Sequence, residues 1–160
     1  MRYYSHLTAG YAASLAVSTI PLLPAPSWSA AGGAGLILGS LLPDIDQAQS
    51  FIGRRSRGLA SIIQLLFGHR GLTHSGIVLF GAGTVWFTAG TFFSALAFGV
   101  IVHLLADLCS RGGIPLFAPF DKKRTSIPLY RTGKFSEYVV TFCLIAYIGL
   151  FHSWWTVPMF

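Results

Sequence analysis

TFFSALAFGVIVHLLADL, residues 91–108, decides the reading of the fold. Its apolar run is interrupted near its end by a histidine and a carboxylate. His103 and Asp107 are four residues apart, so a helix puts them on one face with Cβ atoms about 5–6 Å apart, where one cation can meet both. The surrounding composition points to a membrane. The chain has 160 residues, 53% hydrophobic and 10% charged, with mean hydropathy +0.63, whereas charge makes up about a quarter of an ordinary soluble domain. The expectation is one all-α, membrane-embedded domain over residues 1–160, a polytopic helical bundle. With only five acids in the chain, the placement of Asp44, Asp46 and Asp107 at the ends of apolar segments is informative, because charge at membrane depth is costly and usually functional.

Working outward, further apolar runs cover about residues 7–23, 30–42, 76–89 and 137–157. Several are shorter than the ~20 residues of a standard span, but together they predict about five membrane helices. The first run has a second reading as a signal peptide, since Arg2 precedes it and Ser27–Ala30 resembles a cleavage site. One basic residue is a weak leader, and cleavage would remove His6. Gly33, Gly35 and Gly39 in the second run allow close helix contact, within one chain or between chains. Leu59, Ile62, Ile63 and Leu66 repeat at helical spacing just after the cluster Arg54-Arg55-Ser56-Arg57, which suits a short helix in the membrane interface; a helix packed on its neighbours is the alternative. The loop from Gly112 to Gly133 holds Pro115, Pro119 and Pro128 and is expected to be irregular, with a small hairpin around Thr125–Thr132.

In the five-helix arrangement every Lys and Arg falls on one side. Arg2 precedes the first helix; Arg54, Arg55, Arg57 and Arg70 follow the second; Arg111, Lys122, Lys123, Arg124, Arg131 and Lys134 follow the fourth. Short cytoplasmic loops carry this excess. The expected orientation is N-terminus and site on the cytoplasmic side of a bacterial-type inner membrane. The positive-inside pattern accounts for the net charge of +6, and no aromatic-basic module points to nucleic acid.

With that topology the candidate ligands meet at one face. His69 and His74 lie in GHRGLTHS, residues 68–75, five residues and so about 140° apart on a helix. They are better read as loop residues, with Thr73 or Ser75 capping a helix that begins near His74. His6 opens the first helix, and Pro43 helps end the second before Asp44 and Asp46, two carboxylates that repel unless a cation or proton lies between them. Each feature alone has an ordinary explanation: a hydrogen-bonded histidine, a local His–Asp pair, a capping carboxylate. Their convergence from four segments points to a metal. His6, Asp44, His69, His74, His103 and Asp107 are the expected ligands of a divalent ion. Imidazole and carboxylate without thiolate suit zinc first, then manganese or iron. Cys109 and Cys143 are far apart in the chain and are assigned no metal or disulfide role; His152, near the opposite face, is read as structural or interfacial.

These residues resemble a family. His6, LLPDID (41–46), FGHRGLTHS (67–75) and HLLAD (103–107) followed by GGIPLFAPF (112–120) look like the YdjM-like inner-membrane proteins, described as metal-dependent hydrolases. Arg111 after Cys109-Ser110 departs from the Thr-Pro-like pair expected there. More distantly, the His/Asp pattern is similar to zinc-dependent phospholipase C and related single-strand nucleases. The resemblance implies metal-dependent hydrolysis; the placement of the residues puts it at the cytoplasmic interface, with Asp46 read as a bridging ligand or the base that orients the water and Arg70, between the two histidines, as stabilising a phosphate or developing anion. Arg70 has an equally good role at lipid headgroups. Membrane lipids are the expected partners, and a phosphoester or lipid substrate fits. The alternative is a non-catalytic metal-binding membrane protein, a regulator, scaffold or carrier; carriers bind their cargo near the midplane, whereas this polar set lies at one face.

Overall fold

Helix α5 (Thr91–Leu108) is the post against which the first, second and fourth helices are set. It belongs to a computed structural model that describes residues 1–56, 58–67 and 71–156. The other helices are α1 (Tyr3–Ser18), α2 (Ala30–Leu41), α3 (Leu59–Phe67), α4 (Gly76–Thr88) and α6 (Phe135–Thr156), with 3-10 turns at Leu42–Asp46, Gly53–Arg55 and Leu72–His74. Among the described residues there is no strand, so the all-α expectation holds.

Two of these helices are long and apolar enough to cross a membrane: α5, and α6 over Phe135–Ser153. The others are shorter, with 16 residues in α1, 12 in α2 and 13 in α4. The apolar surface is large. Leu65, Phe80, Phe120 and Phe142 are all exposed, far beyond the scattered apolar residues of a soluble surface.

Helix α2 lies along α5 at backbone contact. A Cβ at Gly35 would overlap the Phe92 carbonyl, and one at Gly39 the Leu96 carbonyl. From the opposite side, a Cβ at Gly99 would come within 2.7 Å of both Leu36 O and Ser40 N. Gly33, the third glycine of the set, faces open space. Small residues of this kind replace side-chain interdigitation with close backbone approach. Around the seam, Leu36, Ala95 and Phe98 form one core cluster and Val100, Leu104 and Ile114 another. Helix α6 is attached to α1: Thr141 Oγ1 donates to Ser5 Oγ at 3.0 Å, and the buried Glu137 accepts the Arg2 N–H at 2.6 Å.

The helix boundaries follow their local signals. Ser29 caps α2 by accepting the Gly32 N–H at 3.1 Å. Of the two residues expected to cap α4, Ser75 does so, accepting from Val78. Pro43 is the second residue of the 3-10 turn into which α2 ends. Helix α3 forms and packs on that turn, with Ala60 buried; Ala48, just beyond the turn, donates its N–H to Gln64 Oε1, while Leu59, Ile62, Leu65 and Leu66 face outward.

The expected hairpin at Thr125–Thr132 does not form. Thr125 instead pairs with Ile114, and Tyr130 with Ser110, because Gly113 turns the chain there with φ +57°, where a Cβ would overlap the Thr125 carbonyl. The Tyr130 hydroxyl donates to Ala106 O at 2.7 Å, tying this loop to the last turns of α5.

Candidate metal centre

Four ligand atoms from three segments converge beside the last turns of α5. One ligand atom from each of Asp44, His74, His103 and Asp107 lies within 4.8 Å of the other three. His74 Nε2 is 3.6 Å from Asp107 Oδ2 and 4.0 Å from Asp44 Oδ1; His103 Nε2 is 3.7 Å from Asp44 Oδ1 and 4.0 Å from Asp107 Oδ2. These separations are too long for hydrogen bonds. They are close to the about 3.3–3.4 Å that separates ligands held 2.0–2.1 Å from a tetrahedral ion. The side chains of His74, His103 and Asp107 are fully buried, and Asp44 is 14% exposed.

Each imidazole is held by its other nitrogen. His103 Nδ1 donates to the Ser40 carbonyl at 2.7 Å, and His74 Nδ1 to Asp46 Oδ2 at 3.1 Å. The Thr73 hydroxyl donates to the same Asp46 oxygen. Such bonds fix the tautomer with the hydrogen on Nδ1, leaving each Nε2 lone pair directed at the cluster, as metal-binding histidines are commonly held. Among the described residues neither Nε2 atom has a hydrogen-bond partner. Burying unsatisfied acceptors beside two carboxylates is unfavourable unless a cation is shared among them. The donor set therefore fits a divalent ion.

Asp44 and Asp46 do different things although two residues apart. Asp44 contributes Oδ1 to the cluster, whereas Asp46, fully buried, is placed behind the His74 ring. A 3-10 turn advances about 120° per residue, so side chains at i and i+2 diverge. His6 stacks face to face on His103, ring centroids 3.6 Å apart and 6° from parallel, with Nε2 3.7 Å from Asp107 Oδ1. The Met1 amino nitrogen bonds that same oxygen at 2.7 Å. His69 and Arg70 lie outside the described residues. His152 meets the Tyr11 hydroxyl at 2.9 Å. Side-chain chemistry gives no sign of Ser40, since its part is played by a backbone carbonyl. Thr73 reads from sequence only as a possible cap, and its place between two site residues is the available hint.

Because the Asp46 carboxylate orients His74, Asp46→Asn is expected to weaken metal affinity by about 10–100-fold with the fold retained. Competition against a chromogenic chelator would measure this; affinity equal to wild type would remove Asp46 from the site.

A family model described as YdjM inner membrane protein matches residues 1–159. Inner membrane protein YdjM of Escherichia coli (strain K12) is 36% identical, the match covering 52% of this chain and 46% of that protein, and the Shigella flexneri protein of the same name matches equally. The chain thus spans about half the length of these two relatives. The uncharacterized protein YvsG of Bacillus subtilis (strain 168) is also 36% identical, with 72% of each chain covered. No solved structure matches the chain.

Proposed function

Since the chain belongs to the YdjM inner membrane protein family, a bacterial inner-membrane family, we propose that it is a membrane-embedded, metal-dependent hydrolase with its site at the cytoplasmic interface. The observation that carries this reading is the quartet of Asp44, His74, His103 and Asp107 with both imidazoles oriented from behind. Zinc suits the set first, with manganese or iron next. A divalent ion bound there supplies Lewis acidity toward a scissile ester and acidifies a water.

The protein's own residues then set access and geometry. Asp44 is the partly exposed member of the quartet, so substrate and water reach the site from its side. Asp46 and Ser40 keep the rings from turning. His6, stacked on His103 and close to Asp107, either completes the ligand set or buttresses it. Arg70 is placed by sequence beside the site and suits a developing anion. We assign five crossings, α1, α2, α4, α5 and α6, with the N-terminus cytoplasmic. The basic loops support this orientation, and the outward apolar residues of α3 suit the interface. Membrane lipids are the partners, and a lipid phosphoester is the substrate class favoured by the position of the site.

Hydrolysis is tested with metal-loaded protein in nanodiscs against a panel of phosphoesters and lipids. Wild type is expected to turn over at least one of them, and His103→Ala none. A protein that holds its ion yet cleaves nothing in the panel would favour the non-catalytic metal-binding reading instead.

A further inference from the structure

An apolar groove of about 470 Å3 runs between the start of α4 and the loop that follows α5, within the ~300–1,000 Å3 range of ligand sites. Ile77 and Phe80 form one wall, Leu116, Phe117 and Phe120 the other. Gly76 joins the two, its N–H donating to Leu116 O at 2.8 Å; a Cβ there would come 2.6 Å from that oxygen. The groove therefore begins two residues from His74. Phe80, Phe117 and Phe120 are 80%, 62% and 92% exposed, so its walls stand open to the surroundings.

The charge beside it is strongly one-sided. Lys122, Lys123 and Arg124 follow Phe120 after a single acid and are all exposed. That acid, Asp121, accepts the Lys123 backbone N–H at 2.8 Å, which keeps the turn short. An apolar groove bounded by Phe120, with three exposed basic residues following within four positions in the chain, complements a molecule with a hydrocarbon chain and an anionic head.

We propose that this groove seats an acyl chain of an anionic glycerophospholipid whose phosphate pairs with Lys122, Lys123 and Arg124, which makes that lipid class the substrate presented to the His74 site. Its role as substrate rests on the hydrolase reading; its binding does not.

The test uses phosphatidylglycerol carrying a diazirine on one acyl chain, with the full chain in phosphatidylcholine nanodiscs. After irradiation, labelled residues are mapped by mass spectrometry. Labelling at Ile77, Phe80, Leu116, Phe117 and Phe120 is expected to exceed that at the exposed Phe142 and Leu150 of α6 by about tenfold, the effect of burying roughly two more CH2 groups of the acyl chain. Unlabelled phosphatidylglycerol should compete, and added phosphatidylcholine should not. Neutralising the cluster (Lys122→Gln, Lys123→Gln and Arg124→Gln together) should retain groove labelling and abolish the preference for the anionic lipid.

Equal labelling of groove and α6, or equal competition by both lipids, overturns the proposal; so does a preference unchanged in the triple variant. His74→Ala separates the two readings. Groove labelling that persists when this variant and the wild type alike show no hydrolysis leaves the lipid site standing and removes the hydrolase.

Discussion

Asp107→Ala is expected to yield protein without bound metal. Asp107 Oδ2 faces both His74 Nε2 and His103 Nε2, and its other oxygen faces His6 Nε2 and the Met1 amine. Removing that carboxylate takes a ligand atom and leaves buried nitrogens facing one another. The loss of affinity should exceed the about 10–100-fold of a change behind the ligands, such as Asp46→Asn. Elemental analysis of detergent-purified protein, prepared without chelator, reads this directly. Wild type should hold at least one equivalent of zinc, manganese or iron, and Asp107→Ala and His74→Ala almost none. Circular dichroism and thermal unfolding recorded in parallel separate metal loss from collapse. Undiminished metal in both variants, with the fold intact, would place the ion elsewhere.

The second large effect concerns the seam that carries the site. Gly39→Leu puts a side chain into the Leu96 carbonyl, which belongs to the backbone of α5 and has no rotamer to yield. Helices α2 and α5 must then separate, at a cost of about 3 kcal/mol or more. The damage extends to the metal centre, because Ser40, the next residue, holds His103 through its carbonyl. Gly33→Ala is the internal control: nothing lies within 4 Å of its Cβ position, and the better helix propensity of alanine predicts stability unchanged or raised by up to about 1 kcal/mol. Unfolding midpoints in detergent should differ clearly between the two, with reduced metal content only in Gly39→Leu. Equal midpoints would mean that the α2–α5 seam does not hold the fold together.

The two faces of a helix are legible from spacing, and so the pairing of His103 with Asp107 follows from the residue order alone. A cap of α4 at Thr73 or Ser75 and the interruption of α2 near Pro43 follow in the same way, and the assumed helix topology adds the convergence of His6, Asp44, His69, His74, His103 and Asp107 at one face, of which His69 lies outside the described residues. What periodicity does not encode is direction outside regular helices. LLPDID reads as a break followed by two carboxylates, yet only the 3-10 turn sends Asp44 into the cluster and Asp46 behind His74. The expected hairpin is absent for a related reason: β-pairing partners in an irregular loop are chosen across the chain, and Thr125 pairs with Ile114 rather than with a near neighbour.

Composition and hydrophobic pattern by themselves determined that this chain is helical, rich in exposed apolar surface and equipped with imidazole and carboxylate at helix ends, because these properties depend on residue type and on a repeat of 3.6. The tertiary structure alone decided which atoms meet. The Ser40 carbonyl is free because it lies in the last turn of α2, where carbonyls have no intrahelical partner, and the glycine seam brings it to His103. The orientation of that imidazole, and with it the geometry of the metal centre, arises from a contact between residues 63 positions apart, a distance over which no local pattern carries information.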